Sequence, residues 1–161
     1  MPSNYKAINS LFNELFPILR SITGAGYIKS LNILSRYIKF KKIKYPSGKK
    51  VFDWTVPKEW VIKDAYIKAG GKKIIDLKKN NLHIVNYSSP VNKMMSLSQL
   101  DKHLYSIKER PKIIPYVTSY YKKQFGFCIE HQKRQKLKDV DYQVVIDSKF
   151  INGNVVNGIS E

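Results

Sequence analysis

Residues 51–67 read VFDWTVPKEWVIKDAYI and contain both tryptophans of the chain, Trp54 and Trp60, on either side of Pro57. The same stretch holds three acidic residues, although the chain has only 12 of them against 29 lysines and arginines. A large aromatic side chain buries a large apolar area when it enters a core. A segment with two tryptophans therefore predicts a seam of the hydrophobic core, and we expect the rest of the chain to be organised around it.

Length and cysteine content limit the class of protein. A chain of 161 residues is long enough for one medium-sized domain with its own core. It contains no run of the roughly 18–20 apolar residues that a transmembrane helix needs, and its N-terminus lacks the pattern of a secretory signal. Cys128 is the only cysteine, so no disulfide can form within the chain. These features predict a cytoplasmic protein with no membrane partner.

The net charge of +17 raises the question of a nucleic-acid partner, since lysine and arginine supply most of the non-specific affinity for phosphate. Only Arg20, Arg36, Arg110 and Arg134 are arginines, which leaves 25 of the 29 basic residues as lysines scattered along the chain. Arginine is the side chain favoured for bidentate contacts to phosphates and bases. The composition therefore favours a solvated basic surface over a nucleic-acid interface.

The first 40 residues predict two helices. Apolar side chains recur at spacings of three and four along the first, and Pro17 should end it near Phe16. A turn with two glycines follows, and a second apolar stripe predicts another helix, capped by Thr23. The stripes consist of Ile8, Leu11, Phe12, Leu15, Phe16 and Leu19 in the first helix and Tyr27, Leu31, Ile33, Leu34, Tyr37 and Ile38 in the second. Neither helix can bury its stripe alone, so both need another surface.

The hydrophobic period changes to two after Phe40, which predicts strands. A strand at 43–45 and a return strand at 51–56 should form a hairpin around a turn that contains Pro46 and Gly48. Further strands are predicted at 60–67, 73–77 and 82–87. The middle of the chain is therefore predicted to be mainly antiparallel β structure.

The last third of the chain mixes short elements. A short helix should begin at Ser96 or Ser98. The remaining predictions are a helical turn at 118–124, a strand at 127–129, a loop or helix at 131–138, a strand at 142–146, a turn at 152–154 and the start of a further strand at 155–156. The predicted fold class is α+β: an N-terminal helical pair, then a mainly antiparallel β domain with short helices, ending in a return hairpin. Because an isolated, shortened hairpin is marginally stable, we expect the chain to be the leading part of a longer polypeptide.

No residue pattern predicts catalysis by this chain alone. Cys128 and His131 have the spacing of half a zinc knuckle, but a second pair of ligands is missing, so no metal site is predicted. Cys128 is better interpreted as a buried small hydrophobe, and His83, in an apolar strand, as structural. Asp53, Glu59 and Asp64 could supply paired carboxylates, with Asp53 and Glu59 approaching across the turn at Pro57, although pairing of these acids with the many lysines is favoured.

Five segments together resemble one family. They are FPILRSITG at 16–24, FDWTVPKEW at 52–60 with DAYI at 64–67, NYSSPV at 86–91, YVTSYY at 116–121 and GFC at 126–128. They resemble the bacterial aminopeptidase-like proteins of uncharacterised function, which are often labelled polysaccharide-biosynthesis proteins. The order of the segments is kept over nearly the whole chain, and Phe125 departs from the tryptophan that the family pattern would place there.

The resemblance implies a fold like that of a zinc exopeptidase with an inserted accessory domain. The implied divisions are N-terminal peptidase-like helices at 1–40, the β-rich accessory domain at 41–135 and a return hairpin at 136–161. The zinc ligands would lie after residue 161, so zinc is implied for the full-length protein and neither a catalytic residue nor a metal ligand is expected in this chain. The residues expected to line a cleft are Arg20, Ser21, Thr23, Asp53, Trp54, Glu59, Tyr66, Tyr120 and Tyr121.

Three functions remain open. The first is an N-terminal and accessory part of a zinc-aminopeptidase-like protein, which shapes or covers a substrate cleft and is inactive alone. Its partner would be the remainder of a longer polypeptide, with a homo-oligomer as a further option. The second is a stand-alone basic module that binds an acidic glycan or a nucleic acid. The third, an independent hydrolase that uses Asp53 and Glu59, has the least support.

Overall fold

The computed structural model describes residues 2–160, with side chains from residue 5 onward. The chain divides into two compact units. The terminal unit comprises Met1–Trp60 and Phe150–Glu161, and the central unit comprises Val61–Lys149.

The terminal unit begins with two helices. Helix α1 spans Pro2–Leu15, so the predicted end near Phe16, just before Pro17, is confirmed. Helix α2 spans Ala25–Leu34 and is shorter than predicted. The prediction of Thr23 as its cap is wrong. Gly24 precedes the helix with φ of 93°, a conformation that favours glycine, and no side chain caps the helix.

Strands β1 to β3 of the terminal unit correct the predicted hairpin. Strand β1 spans Lys41–Pro46, β2 spans Lys50–Val51 and β3 spans Trp54–Thr55. The predicted pairing of β1 with the return strand is wrong, because β2 and β3 pair with each other around a tight turn. Phe52 occupies that turn with φ of 54°.

The partner of β1 is the last strand of the chain. Strand β10 spans Asn154–Ile159 and runs antiparallel to β1, with Lys41 opposite Ile159 and Pro46 opposite Asn154. A strand does begin after the predicted turn near Gly153, but it is six residues long and all six have a register partner in β1. The shortened, unpaired edge that we inferred from the sequence is therefore absent from these residues.

The central unit contains most of a four-stranded sheet with the order β5-β4-β9-β6. Its strands are β4 at Glu59–Ala69, β5 at Lys72–Asp76, β6 at Val91–Met95 and β9 at Tyr142–Ile151. Strands β4 and β5 are antiparallel, with Tyr66 opposite Asp76, and Gly70 and Gly71 supply the positive φ angles of the turn between them. Strands β6 and β9 are also antiparallel. The predicted strands at 60–67, 73–77 and 142–146 are confirmed.

Short elements complete the central unit. They are a 3₁₀ turn at Asn81–His83, helix α3 at Leu97–Asp101, strand β7 at Leu104–Tyr105, strand β8 at Phe127–Cys128 and helix α4 at His131–Arg134. Strands β7 and β8 are parallel. Helix α3 starts with a capping box, in which Ser96 accepts from the backbone N–H of Gln99 and the Gln99 side chain accepts from the backbone N–H of Ser96, so the predicted cap is confirmed.

Two predicted elements of this region are wrong. The strand at 82–87 is a 3₁₀ turn followed by isolated bridges of Ile84 with Phe127 and of Asn86 with Thr118. The helical turn at 118–124 is an extended segment and a turn instead. Both segments form backbone hydrogen bonds with each other, from Asn86 N–H to Val117 C=O and from Ser119 N–H to Asn86 C=O, and these replace local helical bonds.

Burial alternates along the strands of the core, as the hydrophobic period of two predicted. Along β9, Tyr142, Val144 and Ile146 are buried while alternate residues are more exposed. Trp60 is buried and confirms the predicted core seam, whereas Trp54 is only half-buried. With N-terminal helices and mainly antiparallel sheets, the α+β fold class is confirmed.

Candidate functional site

The loop between α1 and α2 carries three of the predicted site residues. The guanidinium group of Arg20 donates to the carbonyl of Leu15 at the end of α1, which also accepts from the backbone N–H of Ile18 at 3.2 Å. The hydroxyl of Ser21 donates to the carbonyl of Thr23 at 2.8 Å. Both side chains therefore help to fix the loop in place.

Thr23 lies at the centre of the terminal unit. Its backbone forms an isolated antiparallel bridge with Val155, and its hydroxyl oxygen lies 3.4 Å from the backbone nitrogen of Trp60. Thr23 is buried. The loop is therefore attached to both the first residues of β4 and the C-terminal strand.

Glu59 lies between two glycines of the terminal unit. A Cβ atom on Gly153 would stand 2.4 Å from Glu59 Oε2, and one on Gly24 would stand 3.6 Å from Glu59 Oε1. Gly153 is held by the hydroxyl of Ser47, which lies 3.0 Å from its backbone nitrogen. We name Thr23, Gly24, Glu59 and Gly153 the glycine-lined cluster. Sequence reasoning missed Gly153 as a site residue, and its position in the predicted turn at 152–154 was the available signal.

The predicted carboxylate sites have different surroundings. Asp64 lies 3.5 Å from the Lys78 ammonium and 3.9 Å from that of Lys73, as the interpretation of lysine pairing predicted. Neither Asp53 nor Glu59 forms an ion pair with any residue that the structure describes. No contact within 2–160 joins Asp53 to Glu59 as a carboxylate pair. Asp53 is exposed, and Glu59 is half-buried.

Tyr66 lies on β4 of the central unit. The ammonium groups of Lys73 and Lys68 lie 4.5 Å and 4.9 Å from its ring centroid. These distances fit cation–π contacts. The ring of Tyr66 therefore already has two lysine partners within its own sheet.

Tyr120 and Tyr121 belong to a larger aromatic group in the central unit. Their ring centroids are 3.9 Å apart, with a tilt of 38°, and Tyr87 meets Tyr120 edge to face at 5.9 Å. The side-chain amide of Asn86 donates to the hydroxyl of Tyr116 at 3.1 Å. Tyr87 is buried, whereas 76% of Tyr121 and 65% of Tyr116 is exposed. We name these four tyrosines the tyrosine platform.

Buried hydrogen bonds hold the segment beneath the platform. Ser119 donates both its backbone N–H and its hydroxyl to the carbonyl of Asn86, at 2.9 and 3.1 Å. Ser88 donates its hydroxyl to Val85 C=O at 2.6 Å and accepts from Gly126 N–H at 3.2 Å. Sequence reasoning did not include Tyr87 and Tyr116 among the site residues, although both lie in segments that carry the family resemblance.

The surroundings of Tyr120 change the acidity of its hydroxyl group. A hydrogen bond with Tyr121, together with burial and the nearby Tyr121 and Tyr87, raises the pKa of Tyr120 above its ordinary value. Tyr120 therefore remains uncharged up to pH values above those at which an ordinary tyrosine ionises.

The candidate metal ligands are used elsewhere. Burial raises the pKa of the Cys128 thiol to about 12, which disfavours the thiolate that a metal would need. His83 Nδ1 lies 2.8 Å from the Cys128 carbonyl, and His131 Nδ1 lies 2.9 Å from the Ser106 hydroxyl. Within residues 2–160, no three His, Cys, Asp or Glu side chains are grouped so that they could hold a metal ion. The residues present do not fit a zinc centre.

Among the described residues, none of the helices is long and apolar enough to cross a membrane.

Comparison with known proteins finds a matching family model, a curated relative and a similar solved structure. A relative from Clostridium acetobutylicum, named "Putative polysaccharide biosynthesis protein with aminopeptidase-like domain", is 49% identical over 152 residues. The match covers 94% of this chain and 35% of the relative. A crystal structure of a "putative peptidase" from the same organism matches 95% of this chain and 36% of its own, with a TM-score of 0.89 and 49% identity.

The chain thus spans about a third of the length of the curated relative that it matches. The resemblance to aminopeptidase-like proteins that the sequence predicted is confirmed by these relatives. The family model for the domain of unknown function DUF2172 matches residues 59–149, which is more than half of the chain and nearly coincides with the central unit. The chain belongs to the DUF2172 domain family.

Proposed function

We propose that this chain is the N-terminal and accessory part of a zinc-aminopeptidase-like protein, in which it shapes or covers a substrate cleft and has no hydrolytic activity of its own. The zinc ligands and the hydrolytic centre belong to segments that this chain does not contain. The accessory domain is the β-rich region predicted at 41–135, which overlaps the family match at 59–149. A cytoplasmic location is part of the same proposal.

The observation that carries this proposal is the exposed apolar face of α1. Tyr5, Ile8, Phe12 and Phe16 recur at spacings of three and four, so they share one side of the helix. Each of them is between 53% and 74% exposed. Contiguous exposed apolar surface of this kind usually marks an interaction site.

The proposed occupant of this face is the remainder of the longer polypeptide. The relative from Clostridium acetobutylicum has about two-thirds of its length outside the match, and its name includes an aminopeptidase-like domain. A domain of that size offers an apolar surface against which the α1 face can be buried. A homo-oligomer is the competing occupant of the same face.

The glycine-lined cluster is the part of the terminal unit that we assign to the cleft. Glu59 is a half-buried carboxylate without an ion pair among the described residues, in a chain whose net charge is +17. A carboxylate of this kind suits the ammonium group at the N-terminus of a peptide substrate. Arg20 and Ser21 hold the neighbouring loop in position. The interpretation of Asp53, Trp54, Tyr66, Tyr120 and Tyr121 as cleft residues stays a prediction and is not part of this assignment.

The experiment compares this chain with a version extended to the full length of the relative. Zinc content and turnover of a panel of aminopeptidase substrates are measured on both. The proposal expects stoichiometric zinc and turnover in the extended protein only. Zinc bound by the 161-residue chain, or turnover by it, would contradict the proposal.

A binding experiment tests the occupant of the α1 face. The missing part is produced separately and titrated with the chain, with Phe12→Asp as the variant and Phe52→Asp as its control. Phe52 is fully exposed and belongs to the turn between β2 and β3, not to α1. Binding should weaken by about tenfold or more for Phe12→Asp only. Equal binding by both variants would exclude α1 as the docking face, and self-association lost in Phe12→Asp would assign the face to a second copy.

A further inference from the structure

We propose that the tyrosine platform of the central unit is a binding site for an acidic oligosaccharide chain. Sugar rings stack on the exposed faces of Tyr121 and Tyr116, and the ammonium groups that follow in the sequence bind the carboxylates of the chain. This site goes beyond the accessory role, because it would function in the central unit whether or not a peptidase-like domain is present.

Two rings of the platform are exposed to solvent. Tyr121 and Tyr116 are large amphipathic rings that a core would bury, yet both lie mostly in solvent. Tyr120 packs against Tyr121 at 3.9 Å on one side and against Tyr87 at 5.9 Å on the other. The buried Tyr87 thus supports Tyr120, which in turn supports the exposed Tyr121. These tilted and edge-to-face contacts support the exposed aromatic surface.

Hydrogen bonds fix the position of the segment that carries the platform. Residues 116–119 are bonded to residues 86–88 through the backbone groups of Asn86, and Ser88 is bonded to Gly126 and to the hydroxyl of Ser148. A surface that is already ordered loses little conformational entropy when a ligand binds. Rigid support of this kind is what a binding site needs and what an ordinary surface loop lacks.

The segment that carries the platform is positively charged. Residues 111–129 contain Lys112, Lys122 and Lys123 but no acidic residue. Lys122 and Lys123 follow Tyr121 directly, both are exposed, and neither forms an ion pair with a residue that the structure describes. The segment therefore combines uncharged aromatic rings with available positive charge, which complements a ligand with carboxylate groups.

The chemistry favours a sugar over a nucleic acid. A pyranose ring presents a face of C–H groups, which packs on an aromatic ring, and a rim of hydroxyl groups, which need hydrogen-bond partners. The Tyr116 hydroxyl, which accepts from the buried Asn86 amide, supplies a polar group on an exposed ring. Sites for nucleic acid rely on arginine for phosphates and bases, and residues 111–129 contain none. Stacking alone would suit single-stranded DNA as well, so DNA is the alternative to test.

The test is a titration of the whole chain with three probes: hexagalacturonate, the neutral maltohexaose and a twelve-residue oligothymidylate. Binding is followed by calorimetry and by NMR shifts of the tyrosine rings. We expect hexagalacturonate to bind, to shift the rings of Tyr116 and Tyr121, and to bind more tightly than the other two probes. Tyr121→Ala should weaken this binding by about tenfold, and the double variant Lys122→Ala, Lys123→Ala should weaken it and reduce its dependence on salt.

The matched control is Tyr37→Ala, which removes an exposed tyrosine of the terminal unit. It should bind hexagalacturonate like the unchanged protein. The far-ultraviolet circular dichroism of each variant establishes that it is folded. Absence of binding, equal weakening in Tyr37→Ala and Tyr121→Ala, or tighter binding of oligothymidylate than of hexagalacturonate would each overturn the proposal, and the last result would assign the platform to single-stranded nucleic acid.

Discussion

Two phenylalanines show how differently the two units use apolar side chains. Phe127, on β8 of the central unit, is fully buried, whereas Phe12, on α1 of the terminal unit, is 67% exposed. Phe127 is also bonded through its backbone N–H to the carbonyl of His103. The central unit thus buries this phenylalanine in its own core, whereas α1 carries an apolar face that is not buried within its own unit. Stability and recognition should therefore respond to substitutions in different places.

The largest expected effect comes from Phe127→Ala. Removing a fully buried aromatic ring leaves a cavity and should lower the free energy of unfolding by about 3–5 kcal/mol. Phe12→Ala should change the stability of this chain by no more than about 0.5 kcal/mol, because the side chain is already in water. Urea denaturation, followed by circular dichroism, measures both. A comparable loss in the two variants would break the contrast between the units.

The next effect in size concerns the glycine-lined cluster. In Gly153→Ala the added Cβ would lie 2.4 Å from Glu59 Oε2 and 2.7 Å from Glu59 Cβ, so the whole glutamate side chain must move. Overpacking of this kind should cost about 1–3 kcal/mol. Gly48→Ala is the comparison, because space around Gly48 is open and its positive φ adds strain alone.

A double variant separates crowding from backbone effects at Gly153. Glu59→Ala removes the Oε2 contact but keeps the Cβ contact. The cost of Gly153→Ala should therefore fall, without vanishing, in the Glu59→Ala background when both are measured by urea denaturation. An unchanged cost would mean that the Glu59 carboxylate does not contribute to the crowding at Gly153.

The sequence was sufficient to predict strands that pair with the next strand along the chain. The strands β4 and β5 alternate in hydrophobicity and are joined by Gly70 and Gly71, so both their existence and their pairing were predictable. The partner of β1 was not, because Ile43 faces Asn157, more than a hundred residues away, and a lysine-rich alternating strand does not identify its neighbour. A two-residue strand such as β2 is too short to produce a pattern.

The same distinction applies to the site residues. Thr23, Glu59, Tyr120 and Tyr121 could be predicted as site residues from their residue types and the family resemblance. Gly153 was not identified as the neighbour of Glu59, because the contact depends on the long-range approach of the C-terminal segment to Glu59. The segment at 82–87 looked like a strand because it is apolar, but its backbone groups bond to residues 117 and 126, which no local pattern could show.

The smallest effect concerns an ion pair of the central unit. Arg134 binds the carboxylate of Asp101 with two hydrogen bonds, from Nε to Oδ1 at 2.7 Å and from Nη2 to Oδ2 at 2.8 Å. These bonds lower the pKa of Asp101 below its ordinary value, against the opposing effect of desolvation. Folding therefore favours the ionised carboxylate. The stabilisation is complete above the ordinary pKa and is lost as the pH falls through the lower value of the folded state.

Asp101→Asn tests this linkage. The Asp101 side chain is half exposed, so solvent screening should limit the loss at pH 7 to about 1 kcal/mol or less. The stability difference between the unchanged protein and the variant should shrink as the pH falls below about 4, because the unchanged protein then loses its carboxylate as well. Urea denaturation at pH 7 and pH 3 measures it, with Asp53→Asn as the control, since Asp53 forms no ion pair with a described residue. A difference that grows towards low pH would reverse the sign and show that folding favours the protonated acid at Asp101.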